Sequence, residues 1–256
     1  MFPESKELKW GKLSSKLPNM TFILGARCTN GVVLVADKKI TRTNEFGSIS
    51  FEYKRKLHGE LGHVIFGVSG STDTFEFFVD EIKERVNQGD VTIENVTNVI
   101  SDKVLEINDK RHFKKDLFFK LLVAVQYPQK PTIPTYVIGD GGKRAVHTYE
   151  SIGVGSIFAE PFLKNIWISN LNMSIIAELG WFIIKYIEDY QLHSSVGVGT
   201  NYPQIWFIPD NETDTNGEKI DYEVNPETRP KEFKEIKNNV NRNFKLYHKQ
   251  LQKLFL

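Results

Sequence analysis

The chain has 256 residues, 40% of them hydrophobic and 25% charged, an ordinary globular make-up whose length allows one large domain or two small ones. A formal net charge of +1 argues against a generally basic nucleic-acid binder, and the single cysteine, Cys28, excludes an internal disulfide and cysteine-rich zinc sites and points to a reducing cytoplasm. No apolar run approaches the roughly 18–20 residues that a membrane span needs, and residues 1–20 are charged and lack a signal-peptide core.

Taken in order, residues 1–20 carry Lys6, Lys9, Lys12 and Lys16 with Pro3 and Pro18 and no apolar periodicity, and read as a loosely packed arm. Thr21–Arg27 and Val32–Ala36 are apolar runs joined by a turn through Asn30-Gly31, the strongest short-range hairpin signal. The second run does not alternate, so it predicts a buried strand that delivers Asp37, Lys38 and Lys39 at its mouth. Ser48–Tyr53 predicts a short strand, and Lys56–Ser69 one or two more, running into Ser69-Gly70-Ser71-Thr72. Ser71–Asp73 open a helix carrying Phe75, Phe78, Val79, Ile82 and Val86, which Gln88-Gly89-Asp90 ends. A second helix is expected over about Thr92–Arg111, with Ile93, Val96, Val99, Ile100, Val104 and Ile107 on its apolar stripe.

Strands resume over Leu117–Tyr127, break at Pro128, Pro131 and Pro134, and return at Thr135–Gly139 and Ala145–Ile152. A turn over Ser151–Ser156 leads to a helix, a further helix is expected from Ser174 to about His193, and a strand at Gln204–Ile208. After a polar loop over 210–223, apolar residues from Phe233 to Leu254 recur every three or four positions. That stripe predicts a C-terminal amphipathic helix, packed on its own domain or offered to a partner. No phosphate loop, dinucleotide fingerprint or metal-like histidine spacing occurs, so neither cofactor nor metal is expected.

The hairpin and the segments after it resemble the proteasome family of N-terminal-nucleophile hydrolases, in β-type subunits and the related bacterial HslV protease. With Gly31 on the family's turn glycine, Thr21 falls without a gap on the nucleophile. Asp37 falls on the buried strand-end aspartate, and Lys39 on the basic residue two further on. Lys56, in Lys54-Arg55-Lys56-Leu57, matches the catalytic lysine, and Gly70 the glycine whose N–H serves the oxyanion. Gly153-Val154-Gly155-Ser156 resembles the Gly-Ser-Gly-Ser turn, with Ser156 on its second serine. The resemblance covers residues 21–209. It implies an α+β fold, a four-layer αββα sandwich, to which residues 210–256 add a polar loop and a helix. It also implies rings of like subunits, with α-type subunits and an ATPase as further partners and peptide or unfolded protein as substrate.

The chemistry requires these residue types together. A threonine hydroxyl becomes a competent nucleophile when the α-amine of the same residue takes its proton. A nearby lysine cation keeps that amine neutral, and a buried aspartate holds the lysine. Residues 1–20 would then be a propeptide cut at Met20-Thr21. Three features depart from the family: Met20 where glycine is usual, Val154 in place of the first serine, and no Asp-x-x-Ser-Gly-Gly after the helix near Asp189 and Ser195. They fit a second expectation, a catalytically silent structural subunit with its arm attached. A third keeps the nucleophile but performs another amide hydrolysis or a transpeptidation.

Overall fold

The computed structural model describes residues 21–43, 49–61, 64–70, 72–89, 92, 94–110, 119–126, 135–139, 142–166, 171–192, 196–199, 201–210 and 223–255. The expectations for residues 1–20 including Met20, for Ser71 and Ser195, and for the polar loop over 211–222 lie outside them.

Two antiparallel sheets face each other. The first is built from β1 (Ile23–Cys28), β2 (Gly31–Ala36), β10 (Tyr149–Ile152) and β11 (Gln204–Pro209) in the order β10-β1-β2-β11. The second runs β5-β6-β7-β8-β9, from β5 (Leu57–Leu61), β6 (Val64–Gly70), β7 (Phe119–Val125), β8 (Thr135–Gly139) and β9 (Gly142–Ala145). A separate ribbon, β3 (Lys39–Thr43) with β4 (Ile49–Tyr53), leaves the end of β2. Helices α1 (Thr72–Asn87) and α2 (Val96–Lys110) cover the second sheet, while α3 (Ser156–Ile166), α4 (Met173–Asp189) and α5 (Pro230–Phe255) lie on the side of the first.

Period-two alternation explains the layering. Ile23, Leu34 and Ile152 point between the sheets to meet Ile65, Leu122 and Ala124 of the second sheet. Their neighbours Leu24, Val33 and Val35 point outward under Ile176, Ile183 and Ile187 of α4. Phe66, Leu121 and Val123 do the same on the far side, under Phe78 and Ile82 of α1 and Ile100 and Val104 of α2. A strand covered on both faces is apolar throughout, which is why Val32–Ala36 shows no alternation. The result is the expected four-layer αββα sandwich of the α+β class.

Some boundaries differ from the sequence reading. The expected strand Ala145–Ile152 is two strands, since β9 pairs with β8 in one sheet and β10 with β1 in the other, and the chain changes sheet at Val146–Thr148. The second helix is regular from Val96, and a capping turn from Thr92 leads into it: Thr92 N–H donates to Asn95 Oδ1 at 2.7 Å and Val96 N–H to Thr92 O at 2.9 Å. α4 begins one residue early, capped by Asn172, whose side chain accepts from Ile175 N at 3.0 Å. It stops at Asp189, short of His193. The C-terminal helix packs on its own domain: Phe233, Ile236, Val240 and Phe244 are buried, and Phe233 meets Trp181 of α4 at 5.6 Å between ring centroids.

Candidate active site at the mouth of the first hairpin

The register of β1 against β2 puts Ile23 opposite Ala36, so Thr21 and Asp37 leave the sheet side by side. Asp37 N–H donates to Phe22 O at 3.1 Å, closing the end of the ladder. Asp37 is fully buried, and Thr21 and Lys56 are 3% and 6% exposed.

One carboxylate gathers the site. Asp37 Oδ1 accepts from Thr21 Oγ1 at 2.8 Å, from Phe22 N–H at 2.7 Å and from Lys56 Nζ at 2.8 Å. Its other oxygen, Oδ2, accepts from Lys39 N–H at 3.2 Å and Gly197 N–H at 3.4 Å. A buried carboxylate with this many donors is compensated in charge and in hydrogen bonds. Lys56 Nζ also donates to Lys39 O at 2.7 Å. Burial pulls the lysine below its ordinary pKa of 10.5, and the negative charge of Asp37 pulls partly the other way. Lys39 therefore serves the site with its backbone. Its ammonium sits over the Phe51 ring, 4.2 Å from the centroid.

The turn into α3 touches Thr21 from the other side. Gly155 N–H donates to Thr21 O at 3.2 Å. Gly153 has φ +91°, a conformation that favours glycine, and a Cβ there would overlap Thr21 O and stand 2.8 Å from Thr21 Cγ2. Val154 lies between them, half-buried against the α4 side of the core. Ser156 Oγ is buried and has no hydrogen-bond partner among the described residues. Gly70 stands at the end of β6 with φ +134°; it is tied to the site through that strand, whose Val68 N–H donates to Lys56 O at 3.0 Å. The structure thus brings Thr21, Asp37 and Lys56 into hydrogen-bonding contact, uses the backbone of Lys39, and sets Gly70 and Ser156 on adjoining elements.

Two contributors had no signal in the sequence. Gln204 at the start of β11 is fully buried, and its Oε1 accepts the backbone N–H of Lys56 and of Leu57, the latter at 3.1 Å. Gly197 receives Lys38 N–H and Lys39 N–H on its carbonyl at 3.2 and 3.1 Å. Asp189 forms an ion pair with Lys185 at 3.2 Å and does not reach Asp37 or Thr21. Cys28 is buried, and burial pushes its thiol up to about 12, which leaves little thiolate to compete as a nucleophile.

Comparison with known proteins bears on the family and the fold. The proteasome subunit family model matches residues 19–196. Among solved structures, the chain is similar to Anbu (ancestral beta-subunit) from Yersinia bercovieri, with TM-score 0.67 and 17% identity over 92% of this chain and 96% of that one. Anbu from Hyphomicrobium sp. strain MC1 is similar at TM-score 0.67 and 16% identity, over 92% and 97% of the two chains. No curated protein matches. Subunits of this family typically self-assemble into rings. Since the family model spans more than half of the 256 residues, the chain belongs to the proteasome subunit family.

Proposed function

We propose that the chain is a threonine-type peptidase subunit whose nucleophile is Thr21 once residues 1–20 have been removed. The observation that carries this reading is a single oxygen: Asp37 Oδ1 accepts from Thr21 Oγ1 and from Lys56 Nζ, each at 2.8 Å, in a buried setting. While residues 1–20 remain attached, the Thr21 nitrogen is an amide and cannot take a proton. Cleavage converts it to an α-amine, which titrates at roughly 7.7–8 when unperturbed. The Lys56 cation disfavours a second positive charge and keeps that amine neutral.

In this reading the amine takes the Oγ proton as Oγ adds to the carbonyl carbon of a peptide bond, and the N–H of Gly70 faces the resulting oxyanion. Collapse breaks the C–N bond, the proton passes to the leaving nitrogen, and an ester remains on Thr21. Water, deprotonated by the same amine, then hydrolyses it. The working form is a ring of like subunits in the cytoplasm, to which α-type subunits or an ATPase could deliver unfolded protein.

The test combines intact mass with N-terminal sequencing and a Thr21→Ala variant. A mass short by residues 1–20, threonine at the new N-terminus, and loss of peptide hydrolysis in Thr21→Ala are expected. Wild-type hydrolysis by Thr21→Ala would end the proposal. Val154, where the family places a hydrogen-bonding serine, favours a second reading, a silent structural subunit. An assembled chain of full-length mass without activity is its signature.

A further inference from the structure

Asp37 stands where β2 has ended and β3 has not begun, so its second oxygen and the backbone beside it depend on residues 196–199. Among the described residues this stretch has no strand partner. It is held on one side by the hydrogen bonds to Asp37, Lys38 and Lys39 described above. On the other side it meets a carboxylate from the last turn of α4. Glu188 Oε1 accepts Gly199 N–H at 2.8 Å and Val198 N–H at 3.2 Å, and Oε2 accepts Val198 N–H at 3.1 Å. The carboxylate packs directly on the chain, since a Cβ at Gly197 would overlap Glu188 Oε1 and stand 2.7 Å from its Cδ.

We infer that Glu188 is a positioning residue for the Thr21–Asp37–Lys56 site, acting through the backbone of residues 196–199. Charge-assisted hydrogen bonds are about twice as strong as neutral ones, so a carboxylate is suited to hold two successive amides. With those amides fixed, Gly197 offers its carbonyl to Lys38 and Lys39 and its N–H to Asp37 Oδ2, which leaves Oδ1 aimed at Thr21 and Lys56. The same support sets Lys39 O, the second acceptor of the Lys56 ammonium. The neighbouring Asp189 faces Lys185, so only Glu188 of this pair makes the connection. The catalytic side of this inference rests on the hydrolase reading, while the mechanical side does not.

The experiment uses the assembled protein as Glu188→Ala, Glu188→Asp and Glu188→Gln. Hydrogen exchange over 36–40 and 196–199 is read by mass spectrometry, with kcat and KM on a fluorogenic peptide. In Glu188→Ala, exchange should quicken at least about tenfold in both segments, and kcat should fall about 10- to 100-fold with KM within about threefold, as a displacement near 1 Å would produce. Glu188→Gln keeps one oxygen acceptor but loses the charge, and should recover part of both losses. Glu188→Asp, shorter by one methylene, should lose kcat with the fold retained, and serves if the alanine variant does not assemble. Quickened exchange confined to 196–199, or kcat per folded subunit unchanged beside an active wild type, overturns the inference. If the wild type itself hydrolyses nothing, the hydrolase reading falls, and the exchange at 36–40 still decides the role of Glu188.

Discussion

Gly153→Ala isolates the contact between the α3 turn and the nucleophile. Two costs can be worked separately. The φ of +91° lies where an L side chain is strained, by roughly 1–2 kcal/mol. The new methyl also has no room. It would overlap Thr21 O and stand 2.7 Å from Thr21 C, short by about 0.8 Å of the ~3.5 Å at which two carbons meet. Overpacking of this kind adds about 1–3 kcal/mol, for a total of about 2–5 kcal/mol. Gly142→Ala separates the two costs, because Gly142 has φ +78° and nothing within 4 Å of its would-be Cβ. It should lose only the strain and keep its activity. The atoms displaced in Gly153→Ala belong to Thr21, so kcat should fall about a hundredfold, the penalty for misplacing a reacting group by ~1 Å. The assays are urea unfolding of both variants and steady-state peptide hydrolysis. Equal unfolding midpoints, with Gly153→Ala at wild-type kcat, would refute the argument.

Asp37→Asn removes the charge that compensates buried Lys56; it should cost about 3–5 kcal/mol in urea unfolding and abolish hydrolysis, and a cost under about 1 kcal/mol would contradict the site as described. Because burial lowers the Lys56 pKa from 10.5, the unfolded chain binds more protons than the folded one between the lowered value and 10.5, and stability rises with pH across that window. The unfolding midpoint of wild type should gain on that of Lys56→Met as the pH approaches 10.5, and parallel curves would remove the effect. Activity that needs the Lys56 cation should likewise fade on an alkaline limb centred below 10.5. Phe233→Ala empties a site between the rings of Trp181 and Tyr202, 5.6 and 4.8 Å away; about 3–5 kcal/mol should be lost with kcat per folded subunit unchanged, and a loss under about 1 kcal/mol would mean α5 is dispensable to the core.

What was legible in the sequence was local. The hairpin was legible, its register less so: the loop is Thr29-Asn30, with Cys28 opposite Gly31, one residue earlier than a turn centred on Asn30-Gly31, and it is this pairing that sets Thr21 beside Asp37. Lys56 was legible only through the family resemblance of Lys54-Arg55-Lys56-Leu57, since three basic residues in a row precede that strand. The helices came from spacing, and their ends shifted where a side chain capped them, as Asn172 does. What stayed hidden depends on sheet order. Nothing near Ala145–Ile152 says that the chain changes sheets there, since both halves have strand character. Gln204 reaches Lys56 across 148 positions only because β11 pairs with β2. Glu188 is one charged residue among several at a helix end until residues 196–199 fold back on it.

Val154 brings these levels together in a last prediction. A serine at this position could donate a hydrogen bond, and valine cannot. Yet the turn holds Thr21 O through the Gly155 N–H and through the close fit of Gly153, both of which are backbone features. The carboxylate end of the site is held independently, by Gly197, Lys39 and Phe22 amides on Asp37. If backbone contacts do the positioning, Val154→Ser should change kcat by less than about tenfold and cost little more than the ~1 kcal/mol of apolar burial a partly buried valine gives up. A silent subunit that lacks only the family serine behaves differently: Val154→Ser would raise hydrolysis from background by far more than tenfold. That outcome would show that the side chain, not the backbone of the turn, is the missing part of the site.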